Sequence, residues 1–175
     1  MIEYTDEIKK ELCQFANRIT PKNWNVSTEH HGFKGESGTL NIWLLFHDKG
    51  HYEDVWMLAE SHSPIRFLDG AAFADIWLYP LNQNHEGFVV SYKGTIIHEL
   101  AHIAVDRYVA FKEKVYRPGG AMIARMTEEN MHGLTFQKAL RLMLVRAASV
   151  YGEQVLGSVI DETLSALDVY KVFPE

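Results

Sequence analysis

Two histidines four residues apart, with a glutamate directly after the first, stand inside an apolar run: Thr95-Ile96-Ile97-His98-Glu99-Leu100-Ala101-His102-Ile103-Ala104. On an α-helix this spacing returns a side chain to the same face one turn later. The imidazoles of His98 and His102 can therefore converge on one zinc ion at about 2.0–2.1 Å. Glu99 projects about 100° further round the helix, toward the side where a water on the metal would sit. From there it can take that water's proton without ligating the metal. This is the His-Glu-x-x-His pattern of zinc hydrolases. With nine His and 15 Glu among 175 residues, chance alone produces it about 0.04 times. Two imidazoles and a carboxylate on an otherwise apolar helix also need partners, because burying them alone costs several kcal/mol.

A catalytic zinc takes three protein ligands and keeps a fourth position open. The third ligand is expected in Glu128-Glu129-Asn130-Met131-His132-Gly133. His132 is preferred, in the first turn of a helix capped by Thr127, with Gly133 leaving room for the metal helix; Glu128 and Glu129 are the alternatives. In the reaction these parts imply, Glu99 accepts a proton from water and returns it to the leaving amine. Tyr116, Arg117, Arg125 and Tyr151 are candidates to stabilise the oxyanion. Asp106, one turn beyond His102, is a candidate to orient a ligand imidazole. His47 and His51 are also four apart, but the turn Asp48-Lys49-Gly50 lies between them and forbids a helical pair. They are read as loop residues, as are His30, His31, His62 and His85.

Several elements must hold this constellation. Thr5, Asp6 and Glu7 open a helix over residues 6–19, with Ile8, Leu12, Phe15, Ala16 and Ile19 at helical spacing until Pro21. Residues 40–46 read as a strand that turns at Asp48-Lys49-Gly50, and residues 55–59 as its returning partner in a hairpin or, over so few residues, as a short helix. Pro64 and Asp69-Gly70 read as turns, and residues 73–79 as a further strand closed by Pro80. Residues 92–110 are apolar nearly all round, which predicts a helix buried in the core. The loop 112–126 concentrates Lys112, Lys114, Arg117 and Arg125 around Pro118-Gly119-Gly120. Two helices follow, from Thr127 to about Gly152 and over residues 153–168. The expectation is α+β: a small, mostly antiparallel sheet packed against the metal helix and two C-terminal helices, forming one domain over residues 1–175.

Composition narrows the function classes. A net charge of -6, from 17 basic and 23 acidic residues, weighs against general nucleic-acid or anionic-membrane binding. The single cysteine, Cys13, excludes an intrachain disulfide and a thiolate zinc site. The acidic start lacks the pattern of a secretory signal, and no apolar run approaches the ~20 residues that span a bilayer. A soluble, cytoplasmic chain is expected.

The His98-Glu99-Leu100-Ala101-His102 helix follows a strand ending Ile76-Trp77-Leu78-Tyr79-Pro80. It precedes a His132-Gly133-x-x-Phe136 segment that opens another helix. Over residues 70–145 this resembles the SprT-like group of zincin metallopeptidases. The resemblance implies a zincin-like α+β domain with zinc on His98, His102 and His132, Glu99 as general base, and a peptide or protein substrate. It also implies that the strand over residues 73–79 edges the cleft and pairs with an extended peptide. With one cysteine, the zinc ribbon found in many of those proteins is absent. Glu128-Glu129-Asn130 is faintly similar to the third-ligand region of phage and plasmid repressor-cleaving peptidases, where a glutamate completes the site. The expected function is a zinc-dependent metallopeptidase. The alternatives are an inactive zinc-binding domain for partner recognition, or a metal-dependent nucleic-acid hydrolase using the basic loop.

Overall fold

The first helix forms where the sequence predicts it. In a computed structural model, which describes residues 4–28, 38–47, 59–68, 71–79, 92–113 and 132–152, α1 runs Asp6–Ile19. The Thr5 hydroxyl accepts the Ile8 N–H at 3.3 Å, and Asp6 and Glu7 lie at the positive end of the helix dipole. Leu12, Phe15, Ala16 and Ile19 are its buried stripe. Pro21, which cannot extend the ladder, follows the cap at Thr20.

The sheet departs from expectation. Strands β1 (Trp24–Ser27), β2 (Leu40–Phe46), β3 (Ala59–Leu68) and β4 (Ala71–Leu78) form one sheet in the order β1-β2-β4-β3. β2 runs parallel to both neighbours, with Leu40 opposite Trp24 on β1 and Ala72 on β4. Only β3 is antiparallel, pairing with β4 so that Ala59 faces Leu78 and Leu68 faces Ala71. The mostly antiparallel sheet is thus corrected to a mixed one. β2 is a nearly continuous apolar run with Leu40, Asn41, Ile42 and Leu44 buried. That composition suits a strand enclosed in a parallel sheet rather than one with a wet face. The expected turn at Asp48-Lys49-Gly50 and residues 55–58 lie outside the described residues, and Ala59 belongs to a strand that pairs with β4, not β2.

Pro64, expected in a turn, lies within β3, where the register shifts between His62 and Arg66. An irregularity in an edge strand is where a missing N–H is tolerated. His62, expected in a loop, is opposite Asp75 in the ladder. The strand expected at the cleft edge is β4, which is interior, so β3 takes the edge position.

Helix α2 (Tyr92–Glu113) carries the His-Glu-x-x-His segment, and α3 (Leu134–Tyr151) follows it in the described chain. α2 packs against β3, α1 and α3. Its Ile96, Ile97, Leu100, Ala101, Ile103 and Val105 are buried, as the all-round apolar pattern predicts. Lys93 pairs with Glu11 of α1. α3 buries Phe136, Leu140, Met143, Leu144 and Ala147, a stripe at spacings of three and four. Leu134, Leu142 and Val145 on its other side are each more than half exposed. Gly133 caps α3 at its start, and Gly152, with φ 79°, ends it. A left-handed conformation there is cheap only for glycine. Thr127, the predicted cap, and the predicted helix over residues 153–168 lie outside the described residues.

One hydrophobic core joins Trp24, Val26, Leu40, Ile42, Leu44, Ala72, Ala74, Ile76 and Leu78 of the sheet to the buried stripes of α1, α2 and α3. The molecule is a small α+β structure. Among the described residues no helix is long and apolar enough to cross a membrane.

Candidate metal centre

α2 fixes two of the expected ligands and the entry to α3 brings up the third. His98 and His102 are one turn apart, and their Nε2 atoms are 3.1 Å from each other. His132 Nε2 is 3.3 Å from His98 Nε2. His132 is itself helical and immediately precedes Gly133, the cap of α3. Its backbone is tied to that helix, because Gln137 Nε2 donates to the His132 carbonyl at 3.4 Å. A ligand-capable nitrogen from each of the three rings lies within 4.8 Å of the other two. This is the only such group of three His, Cys, Asp or Glu side chains among the described residues.

The geometry can be tested against coordination chemistry. Metal–nitrogen bonds of about 2.0–2.1 Å at tetrahedral angles place two ligand nitrogens roughly 3.4 Å apart. Separations of 3.1 and 3.3 Å approach that chord. Three protein ligands would leave a fourth position of a tetrahedral ion open, and His132 is exposed. The residues present therefore fit a bound metal ion.

Electrostatics favour the same use. Burial, with the neighbouring His132 adding to it, pushes His98 down to about 4. Burial and the other two imidazoles push His102 down to about 3. Burial also lowers His132. Near neutral pH the rings are thus uncharged, the state whose lone pair can ligate a metal.

Phe136, named in the sequence only as the end of the His132-Gly133-x-x-Phe136 segment, received no role there. Fully buried in the first turn of α3, its ring centroid lies 5.1 Å from that of His98, 4.3 Å from His102 and 4.9 Å from His132. The available signal was the spacing of four between His132 and Phe136 at a helix start.

The other expected residues divide clearly. Glu99 is buried, 7% exposed, beside His98 on α2. Asp106 is 5% exposed on the same helix, and burial pushes its carboxyl up to about 6. Tyr151 is corrected as an oxyanion candidate. It sits at the far end of α3, roughly 26 Å along the helix from Leu134, where its ring packs on Phe15 at 5.3 Å and under Arg18. His47 follows β2 and stacks on Trp77 and Tyr79, at 4.6 and 5.0 Å between centroids. Tyr116, Arg117, Arg125, Glu128, Glu129, His30, His31, His51 and His85 lie outside the described residues. Comparison of the chain with protein-family profiles, with curated proteins and with solved structures returns no match.

Proposed function

We propose that the chain is a zinc-dependent metallopeptidase in which His98, His102 and His132 hold the metal and Glu99 is the general base. The observation that carries this reading is the convergence of three imidazole nitrogens, two from α2 and one from the residue before the α3 cap, beside a buried glutamate at the His-Glu-x-x-His position. Imidazole ligands suit zinc, as they also suit copper, iron and nickel, and three protein ligands match a catalytic rather than a closed structural zinc site. The resemblance to SprT-like zincins supports the same assignment.

When bound, zinc supplies a Lewis acid that acidifies water and polarises a carbonyl. The three histidines hold and orient it. Glu99 accepts the proton of the attacking water and delivers it to the departing amine. Glu99 supports hydrolysis over passive metal binding, since holding an ion at three imidazoles requires no carboxylate at that position. A peptide is the substrate class this reading favours, and β3, the sheet edge packed beside α2, offers backbone donors and acceptors to an extended chain.

Metal analysis of the purified protein tests the first half and should find about one zinc per chain. Failure to bind any transition metal after reconstitution would refute it. A proteome-wide cleavage profile comparing the native chain with Glu99→Gln tests the second half, with cleavage products expected only from the native chain. Identical product sets would remove Glu99 from the reaction.

A further inference from the structure

Three imidazole rings bearing metal-binding nitrogens surround one aromatic side chain. Phe136 presents an edge-to-face contact to His98, with ring planes at 61°, and another to His132, at 83°. It lies closest to His102, whose ring is tilted by 34° at a centroid distance of 4.3 Å. The imidazoles also contact each other at 4.8, 5.2 and 5.1 Å. Each ring of the set therefore touches the other three.

An imidazole on a helix has two soft side-chain torsions, and aiming its Nε2 at a metal requires both to be fixed. In many metal sites a hydrogen bond to the second ring nitrogen does this. Here the flat faces and edges of one phenyl ring restrict all three rotations together, and aromatic pairs of this geometry are favourable beyond the area they bury. Phe136 has no exposed surface, so it cannot swing out to release them. Its place on α3, one turn after His132, also couples the third ligand to the two on α2.

We infer that Phe136 is a positioning residue: it aligns the three imidazoles for metal and so sets the affinity and coordination geometry of the site. The inference rests on the metal-binding reading above, but the alignment itself is a property of the metal-free chain.

The test compares the full-length wild type with Phe136→Leu and Phe136→Met, which fill the core without a planar ring, and with Leu140→Ala. Leu140 is fully buried one turn further along α3 and serves as a control for core damage. Three quantities are read: metal-free stability, affinity for Zn²⁺ and Co²⁺, and the visible spectrum of the Co²⁺ form. Loss of the ring should weaken metal binding about 10- to 100-fold, the range for residues that orient ligands, and change the Co²⁺ bands. Leu140→Ala should lower stability at least as much while leaving affinity and spectrum near wild type.

Imidazole ¹⁵N resonances of the metal-free chains give a readout that needs no metal. A single sharp set is expected in wild type, and broadened or multiple sets in Phe136→Leu. Unchanged imidazole resonances in Phe136→Leu, or equal loss of affinity in Phe136→Leu and Leu140→Ala, would overturn the inference. A wild type that binds neither metal would instead overturn the metal-binding reading.

Discussion

The Nε2 atoms of His98 and His102 face each other at 3.1 Å, with His132 Nε2 3.3 Å from the first of them. Three neutral rings in this arrangement cannot all point a lone pair inward without repulsion unless a proton or a cation lies between them. A metal should therefore stabilise the fold. At a free zinc concentration of 1,000 times Kd the gain is about 4 kcal/mol. Thermal unfolding with zinc and with a chelator should differ accordingly, and the difference should vanish in His98→Ala.

His132 should outrank the nearby glutamates as the third ligand. His132→Ala is expected to weaken zinc binding by more than about 100-fold, beyond the usual loss for an orienting residue. Glu128→Ala and Glu129→Ala should change it by less than about 10-fold. Competition titration against a chromophoric chelator measures all three, and the reverse ranking would move the ligand to a glutamate.

Glu99→Gln keeps the size of a buried side chain while removing its basicity. It should bind zinc as well as wild type and lose about 10²- to 10⁴-fold in kcat/KM on any peptide substrate found, the usual contribution of a positioned general base. Parallel metal analysis and turnover assays separate the two effects.

The metal-free protein should become less stable on acidification. His98 and His102 are held at about 4 and about 3 when folded, against about 6.5 unfolded. Between those values the unfolded chain binds more protons, so their contribution is fully present above pH 6.5 and is lost as pH falls. Asp106, pushed up to about 6, acts in the opposite sense, because its folded carboxyl keeps a proton that the unfolded one releases. Two histidines against one carboxyl leave a net loss on the order of 1 kcal/mol per pH unit around pH 5. Urea unfolding at pH 7, 6 and 5 should show that slope, and Asp106→Asn should steepen it.

The two sides of α3 should respond differently to truncation. Leu144→Ala removes buried volume and should cost about 2–5 kcal/mol. Leu142→Ala, two residues earlier and 55% exposed, should stay within about 0.5 kcal/mol. Chemical denaturation of both variants checks the orientation of the helix.

Local signals in the sequence carried much of this architecture. Thr5, the acidic first turn and the Leu12–Ile19 stripe defined α1, and the all-round apolar pattern of residues 92–110 defined α2, because capping and periodicity act over a few residues. The clustering of His98 and His102 followed from helix geometry alone. Strand pairing did not, since register and direction are settled by contacts distant in sequence. The continuous apolar run of β2 held a hint of parallel enclosure that its neighbouring turn residues outweighed. His132 was legible as a residue type near a helix start. The contact of Phe136 with all three imidazoles was not, because the meeting of four rings depends on how α3 crosses α2.

Two of the three imidazoles belong to α2, whereas the third stands just before α3, 34 residues beyond His98. A metal seated among them would therefore act as a cross-link: it would close a long loop that an unfolded chain leaves open. Closing it in advance removes entropy from the unfolded state in the manner of a disulfide, in a chain whose lone cysteine rules out an internal one. Unfolding the loaded protein then requires either breaking a metal–nitrogen bond or separating the two helices while still tethered. Separation of α2 from α3 is thereby opposed for as long as the ion stays bound.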